Sequence, residues 1–307
     1  MIVDLPATST IAVSKRLVRL REEVGAMALT RVLTLVVLDS EEHIEDAVAT
    51  TLDASRQNPC RVIAIASGTR RGRSRLDAQI RLGGDAGASE VLILRLFGPL
   101  AGHAESVVTP LLLADSPIVV WWPGPAPRSP AHEPVGTMAT RRVTDSAATA
   151  GPPGKVLRRL ARGYQPGDTD LAWSRVTLWR GLLAAALDEG PLDPVTDVMV
   201  TGAANSPSAE LLAGWLGVRL GVPVTMEQVP DGSGIVGVTL LRPSGPVVLR
   251  RPGRAPTASL SQPGQPERLL ALPRRSDAEC LADELRRLDP DEVYAAALRA
   301  RVHPPRI

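Results

Sequence analysis

The chain has 307 residues, of which 44% are hydrophobic and 22% are charged. Domains usually have about 100–200 residues, so this length predicts two domains, and the composition is that of a globular protein with a hydrophobic core. The net charge is only +2, from 35 basic and 33 acidic residues. Nucleic-acid-binding domains carry a strong positive field, so this balance gives such a function little support.

The first half of the sequence alternates predicted strands with predicted helices. Helices are predicted at 11–24 after candidate N-caps at 8–10, at 41–55 with Ser40 as N-cap, and at 103–113. Buried strands are predicted at 31–38, 61–66, 78–82, 90–96 and 117–122. This alternation indicates a doubly wound, mostly parallel sheet.

Segment 168–187 is predicted as the strongest single helix of the chain. Asp168 is its expected N-cap, and Asp170 lies in the first turn, where a carboxylate complements the helix dipole. Gly190 and Pro191 are expected to end the helix.

The second half contains short strands in succession. A strand at 195–201 and a helix at 206–220, with Ser206 as N-cap and Pro207 at the first position, come first. Strands are then predicted at 222–229, 234–242, 246–251, 257–261 and 267–272, followed by helices at 277–288 and 291–299. The expected architecture is an α/β domain over 1–190 and an α+β domain with a mostly antiparallel sheet over 191–307.

Two glycine-rich segments are interpreted as turns. Gly232, Gly234 and Gly237 have the G-x-G-x-x-G spacing of dinucleotide-binding loops, but the segment leads into a predicted strand instead of a helix. A hairpin turn around 230–232 is therefore preferred. The loop 83–87 lies between two predicted strands and is also interpreted as a turn.

The residues that most often carry chemistry form no familiar pattern. The histidines, at 43, 103, 132 and 303, lack metal-ligand spacing. His103, at a predicted helix start after a strand, could carry a catalytic group, although a capping or surface role is favoured. Cys60 and Cys280 are about 220 residues apart and are predicted to be buried thiols. These patterns predict no metal site and no cofactor-binding loop, although catalytic carboxylates scattered along the chain would not show in sequence spacing.

The amino-terminal sequence lacks a basic segment followed by an apolar one, so no signal peptide is expected. The chain also contains no run of 18 apolar residues, so no membrane-spanning segment is expected. These features predict a cytoplasmic protein.

Two further groups of residues are candidates for binding. Arg70, Arg71, Arg73 and Arg75 form either a solvated loop or a contact for an acidic partner surface or a phosphate. Trp121 and Trp122 end an apolar strand, and the carboxyl end of such a strand borders the ligand crevice of a doubly wound sheet. They either bind a ligand or partner there, or plug the end of the sheet.

The segment 168–187 combines tryptophan and arginine. Arg175 and Trp179 are four residues apart, so the guanidinium can lie against the indole. Trp173 and Arg180 share another helical face. An apolar stripe is formed by Trp179, Leu182, Leu183 and Ala186. Packing between domains explains these contacts, and a partner interface would use the same residue types.

Seven segments carry a resemblance to a known family. They are MIVDLP, RVLTLVV, LDAQIRLGGDAGASEVLILRL, GPLAGHAESVVTPLLLADSPIVVWWPG, RRVTDS, GDTDLAWSRVTLWRGLLA and ECLADELRRLDPDEVYAAAL. The most specific pattern is D-x-D-L-x-W-x-R-x-T-x-W-R at 168–180. Through these segments, which run in order over most of the chain, the sequence resembles the glucose-6-phosphate dehydrogenase assembly protein family, called OpcA, in its actinobacterial form.

The resemblance implies a protein without catalytic activity that binds glucose-6-phosphate dehydrogenase in the oxidative pentose phosphate pathway and promotes its assembly or activity. The residues expected to contact this partner are Trp173, Arg175, Arg180, Trp121, Trp122, Arg70, Arg71 and Arg73. The alternative is an enzyme or sensor that binds a small molecule in the crevice of the amino-terminal α/β domain.

Overall fold

The computed structural model describes residues 1–24, 33–56, 58–83, 90–189, 193–230 and 234–300. The chain forms two compact units. The first comprises Met1–Thr144 and Asp277–Pro290, and the second comprises Asp145–Ser276 and the chain from Asp291 onward. The chain therefore leaves the first unit, builds most of the second, and returns once to the first.

The strands are β1 (Ile2–Thr8), β2 (Thr34–Ser40), β3 (Arg61–Ser67), β4 (Arg75–Arg81), β5 (Glu90–Phe97), β6 (Ile118–Trp122), β7 (Arg141–Thr144), β8 (Asp168–Asp170), β9 (Asp197–Ala203), β10 (Val224–Val229), β11 (Ile235–Leu241), β12 (Val247–Arg250), β13 (Thr257–Ser261) and β14 (Arg268–Ala271). The α-helices are α1 (Thr10–Val24), α2 (Ile44–Ser55), α3 (Ala104–Val108), α4 (Pro153–Gly163), α5 (Leu171–Ser174), α6 (Thr177–Asp188), α7 (Pro207–Leu220), α8 (Asp277–Arg286) and α9 (Glu292–Ala300).

The first unit contains the predicted mostly parallel sheet. Its strands lie in the order β1-β4-β5-β3-β2-β6-β7. The pairs from β5 to β7 are parallel, and β4 and β1 extend the sheet by antiparallel pairing. Residues at successive positions of β3 are buried, so side chains on both faces of the sheet are covered, as is usual for parallel sheets.

The second unit contains the predicted mostly antiparallel sheet. Its strands lie in the order β10-β9-β11-β12-β13-β14. Among these described strands only β9 and β10 are parallel, and the crossover between them is α7, which Ser206 caps by accepting a hydrogen bond from the Ala209 N–H at 3.2 Å. The α/β and α+β fold classes predicted for the two halves are confirmed.

The predicted hairpin around 230–232 is wrong. Residues 231–233 lie outside the described residues, but β10 and β11 are not neighbours, because each pairs with a different edge of β9. The segment does lead into a strand, as predicted. The loop 83–87 lies mostly outside the described residues, and the strands on either side, β4 and β5, are antiparallel partners.

The single helix predicted over 168–187 is also wrong. Asp170 is extended, with φ −144° and ψ 137°, so the chain forms β8 before α5 begins. Asp168 is not the N-cap of that helix, and its carboxylate accepts the backbone N–H of Gln165 at 2.8 Å. The turn at Arg175 and Val176 then separates α5 from α6. Gly190 and Pro191, the expected end of the helix, lie outside the described residues.

Prolines account for two other differences. α3 is shorter than the predicted 103–113 helix, and a 3-10 helix containing Pro110 follows it, because proline has no N–H to continue the hydrogen bonds of the α-helix. Pro153 marks the start of α4, which the sequence analysis did not predict, and proline is well tolerated in the first turn of a helix. α2 begins at Ile44, where His43 is the N-cap and Ser40 lies 3.0 Å from the His43 ring.

The division into units differs from the domain boundary expected near residue 190. Segment 145–189 belongs to the second unit because Leu157, Trp173, Trp179 and Leu183 are buried in that unit's core. The core of the first unit is formed separately, by side chains of α1 and α3 and of strands β2 to β6. Both cysteines are buried, as predicted. None of the described helices combines the length and the apolar composition needed to cross a bilayer.

A buried ion pair attaches α8 to the sheet of the first unit. Arg141 in β7 donates from Nε at 2.9 Å and from Nη2 to the carboxylate of Glu284, and both residues are at most 5% exposed. The Nη1 group of Arg141 donates to the Asp289 carbonyl at 2.8 Å. A charge removed from water at this depth is stable only while its partner is present.

We predict that Glu284→Ala lowers the free energy of unfolding by about 3–5 kcal/mol, because it leaves the Arg141 guanidinium buried without its carboxylate. Urea denaturation followed by circular dichroism measures the loss. The control is Asp283→Ala, which removes an exposed ion pair with Arg286 and should cost less than about 1 kcal/mol. Equal losses in the two variants would contradict the prediction.

Candidate functional site

The carboxylate of Asp170 is the centre of the family-specific segment 168–180. It is fully buried and lies where β8 ends and α5 begins. Its oxygens accept hydrogen bonds from the Ala172 N–H at 2.9 Å, the Ser146 N–H at 3.0 Å and the Ser146 hydroxyl at 2.8 Å. The carboxylate therefore caps α5 and holds the 3-10 turn Ser146–Ala148 against it.

Arg175 is fixed by a bidentate ion pair. Its Nη1 and Nη2 donate to the two oxygens of Asp145 at 2.8 and 2.6 Å. Asp145 also caps the turn by accepting the Ala147 N–H at 3.0 Å. The stacking of Arg175 on Trp179 considered from the sequence is replaced by this pair, and the guanidinium above Trp179, at 5.2 Å, is that of Arg251.

Trp173 connects the segment to α9. It is 1% exposed, and its Nε1 donates to Asp291 at 2.8 Å, while Asp291 also accepts the Tyr294 N–H and so caps α9. Arg180 lies 3.7 Å above the Trp173 ring, so these residues share a face as expected. Trp173 therefore lies beneath Arg180 and not at the surface.

The surface that the segment offers is the outer face of α6. Its exposed residues are Thr177, Leu178, Gly181, Ala184, Ala185 and, at the carboxyl end of the helix, Asp188. Leu178 is the largest apolar side chain among them and is 37% exposed. On the opposite face, Trp179, Leu183 and Ala186 lie in the core, and Leu182 is partly buried. This arrangement confirms the predicted apolar stripe and leaves a face of small side chains with Arg180 at its edge.

Trp121 and Trp122 end β6 beside the point where the strand order reverses, between β2 and β6. They are 2% and 8% exposed. Trp122 belongs to the core of the first unit, whereas the buried Trp121 Nε1–H has no hydrogen-bond partner among the described residues. Next to them, a Cβ added to Gly124 would lie 3.1 Å from the Asp39 carboxylate, so backbone and carboxylate approach closely at this end of the sheet.

The arginine-rich loop between β3 and β4 is exposed. Arg70, Arg71 and Arg73 all lie at the surface. Arg75, the first residue of β4, pairs with Asp77 at 3.1 Å and lies 4.2 Å above the Phe97 ring. The first three arginines therefore provide exposed positive charge, and Arg75 is partly neutralised.

The described residues contain no cluster of three or more His, Cys, Asp or Glu side chains arranged to hold a metal ion. His103 is at a helix start, as predicted, but its side chain is 65% exposed and makes no capping hydrogen bond. Its Nδ1 lies 3.7 Å from the carboxylate of Glu105.

The second unit also contains a cavity that the sequence analysis did not predict. Its volume is about 300 Å³, and we call it the arginine cavity. It is lined by Ala147, Arg175, Asn205, Ser206, Pro207, Ser208, Gly234, Ile235, Arg251, Arg274 and Arg275. Four of these described lining residues are arginines and none is acidic. Several elements contribute, including the turn capped by Asp145, the start of α7 and the start of β11.

Arg251 forms the buried part of the arginine cavity. It is 4% exposed, and its guanidinium donates to the carbonyls of Leu272 at 3.1 Å and Ile235 at 3.3 Å. Burial, and then the positive charge of Arg274, lower the pKa of Arg251 to about 10. Arg251 therefore remains charged at neutral pH, although burial makes its charged form less stable than it would be in water.

In comparisons with known proteins, two family models match the chain, one in each half. Residues 51–162 match a family model described as the N-terminal domain of the glucose-6-phosphate dehydrogenase subunit. Residues 166–298 match one described as the C-terminal domain of the same kind of subunit. No curated protein matches the chain.

Several solved structures have a similar course of the chain at low sequence identity. KijD10, a 3-ketoreductase from Actinomadura kijaniata in complex with NADP, is 10% identical with a TM-score of 0.48, covering 88% of this chain and 94% of that chain. Biliverdin reductase from Synechocystis is 11% identical with a TM-score of 0.43, covering 87% and 96%. An oxidoreductase from Sinorhizobium meliloti is 10% identical with a TM-score of 0.43, covering 83% and 86%. Likeness at this level carries no conclusion about activity.

We predict that Asp170→Ala lowers the free energy of unfolding by about 3 kcal/mol, since it removes a helix cap and leaves buried donors of Ser146 and Ala172 without an acceptor. Urea denaturation followed by tryptophan fluorescence measures the change. The matched control is Asp188→Ala at the exposed end of α6, which should change stability by less than about 0.5 kcal/mol. A small effect of Asp170→Ala would show that the carboxylate is not a structural centre.

Proposed function

Because the chain belongs to the OpcA family of glucose-6-phosphate dehydrogenase assembly proteins, we propose that it binds this dehydrogenase directly, catalyses no reaction itself, and favours the dehydrogenase's active oligomer. The observation that carries the proposal is the pair of family matches, which together extend from residue 51 to residue 298 and so involve both units.

The chemistry of segment 168–180 supports a role without catalysis. Asp170 is occupied in capping α5, and Arg175 is occupied by Asp145. A general base or a nucleophile must reach a substrate, whereas these groups are engaged within the chain. The family-specific residues thus maintain the second unit's structure and position its surface.

The proposed contact surface includes the outer face of α6 together with Arg180. Arginine is enriched at protein interfaces, and the buried centre of an interface is more apolar than the rest of the protein surface. Trp173 would support Arg180 from beneath, and Arg175 would fix the turn before α6. Stable interfaces usually bury about 800 Å² on each partner, which is more than one short helix face provides, so other surfaces must take part.

The exposed arginine loop, with Arg70, Arg71 and Arg73, is the second proposed contact, and it would suit an acidic surface of the dehydrogenase. Trp121 and Trp122 are buried at the end of β6, so they would act by holding the segment that follows the strand. The proposed interface therefore consists of exposed residues that buried side chains hold in place.

Binding of this kind activates an enzyme by shifting its population. A partner that binds the active oligomer more tightly than the inactive form increases the fraction that is active. A difference of about 1.4 kcal/mol in binding free energy changes the ratio of the two forms about tenfold. Contacts with no part in the chemical step are sufficient for this effect.

We predict that adding the purified chain to its cognate dehydrogenase raises kcat or lowers KM and increases the mass of the dehydrogenase oligomer, since the active form is bound preferentially. Steady-state kinetics and light scattering after size-exclusion chromatography measure these quantities. The chain alone, assayed with glucose 6-phosphate and NADP, should show no turnover. Unchanged kinetics and mass with no detectable complex would refute the proposed function.

We predict that Leu178→Glu weakens the complex at least about tenfold, because it places a charge on the apolar outer face of α6. Surface plasmon resonance with immobilised dehydrogenase measures the dissociation constant. The matched control is Leu269→Glu, since Leu269 is an exposed leucine in β14 and lies outside the proposed surface. Equal weakening, or none in either variant, would remove α6 from the interface.

A further inference from the structure

We propose that the arginine cavity binds the phosphoryl group of a small phosphorylated molecule. The proposal is independent of the proposed function and rests on the charge, shape and hydrogen-bonding capacity of the described residues.

Positive charge accumulates in the arginine cavity. Of the four lining arginines, Arg175 is paired with Asp145, and none of the described lining residues is acidic. Burial and the charge of Arg274 lower the pKa of Arg251, while burial and the charge of Arg254 lower the pKa of Arg274. The charges of Arg251 and Arg274 repel each other, so an anion bound beside them in the cavity would stabilise both.

A buried hydrogen-bond donor in the cavity has no partner among the described residues. Arg251 lines the cavity, is 4% exposed, and its Nε–H makes no hydrogen bond to them. A buried guanidinium normally uses all of its donors, because each unpaired buried donor costs free energy. An acceptor supplied by a ligand would satisfy this group.

The start of α7 provides a further favourable environment for an anion in the cavity. Asn205, Ser206, Pro207 and Ser208 line the cavity, so the first turn of a 14-residue helix faces it. The first N–H groups of a helix lack partners within the helix, and the helix dipole favours an anion there. Pro207 has no N–H and the Ser206 hydroxyl accepts the Ala209 N–H, so the Ser208 N–H is the donor of this turn that can meet an anion.

Gly234 lines the arginine cavity, and its missing side chain leaves room there for Arg274. It has φ +71°, and a Cβ at this position would lie 3.1 Å from Nη1 of Arg274. Glycine therefore serves two needs, since it adopts the left-handed conformation without strain and leaves room for the guanidinium. Arg274 is exposed and also donates to the Gly253 carbonyl at 3.1 Å, which places it at the rim above the buried Arg251.

A phosphoryl group suits this arrangement better than a carboxylate. At neutral pH a phosphate monoester carries a charge of about −1.5 to −2 and three acceptor oxygens, so it can accept from several arginines and a helix N-terminus together. Cavities for small ligands begin at about 300 Å³, which is the volume here. The site would hold a small phosphorylated molecule and exclude a long polymer.

Isothermal titration calorimetry on the full chain tests the proposal, with inorganic phosphate, glucose 6-phosphate and glucose as probes at a constant ionic strength of about 0.15 M. We expect saturable binding of inorganic phosphate or glucose 6-phosphate and none of glucose. Absence of binding by both phosphate probes, or equal binding of glucose, would overturn the proposal.

Variants of two lining arginines separate this site from general charge attraction. Arg274→Ala and Arg275→Ala should each raise the dissociation constant at least about tenfold, because each removes a charge-assisted hydrogen bond. Arg286→Ala, an exposed arginine of the first unit, should leave it unchanged. If all three variants weaken binding equally, or none does, phosphate is not bound in the arginine cavity. Circular dichroism spectra and melting temperatures confirm that the variants are folded.

Discussion

The arrangement of the second unit depends on a carboxylate that has been removed from water. Asp170 is fully buried, and a charge in such a place is tolerated only when hydrogen-bond donors replace its hydration. The donors belong to Ser146 and Ala172, so a turn distant in sequence is held against the start of α5. Asp145, in that turn, then receives Arg175, which lines the arginine cavity. One buried anion thus positions both the family-specific segment and a cavity of opposite charge.

The sequence predicted the two sheets because their signals are local. Continuous apolar runs identified the parallel strands, such as β3, and short strands between turns identified the antiparallel ones, such as β13. One failure occurred where a side chain's partner is far along the chain. Asp170 has the residue type of a first-turn acid, but its backbone is extended and its carboxylate bonds to Ser146 and caps α5, so the helix begins only after it. Sequence spacing contains no information on that partner.

The candidate sites show the same limit. Trp173 and Arg180 could be placed on one face from their spacing, and they are in contact. The arginine cavity could not be foreseen, because Arg175, Arg251 and Arg274 come from separate elements and only the fold brings them together. In a chain whose positive charge is almost entirely arginine, composition alone does not distinguish these three from arginines on the surface. Arg251 is 4% exposed whereas Arg274 is exposed, and only the folded chain shows that both line one cavity.

The return of the chain to the first unit has a consequence for biosynthesis. α8 contributes the buried Cys280, Leu281, Glu284 and Leu285 to a unit whose other elements end at Thr144. A ribosome adding about 5–20 residues per second needs roughly 7–30 s to pass from Thr144 to the end of α8. During that interval Arg141 has no carboxylate partner and the face that α8 covers is open. The amino-terminal part is therefore synthesised first but completed late, and nascent chains are exposed to mispairing or chaperone capture until α8 emerges.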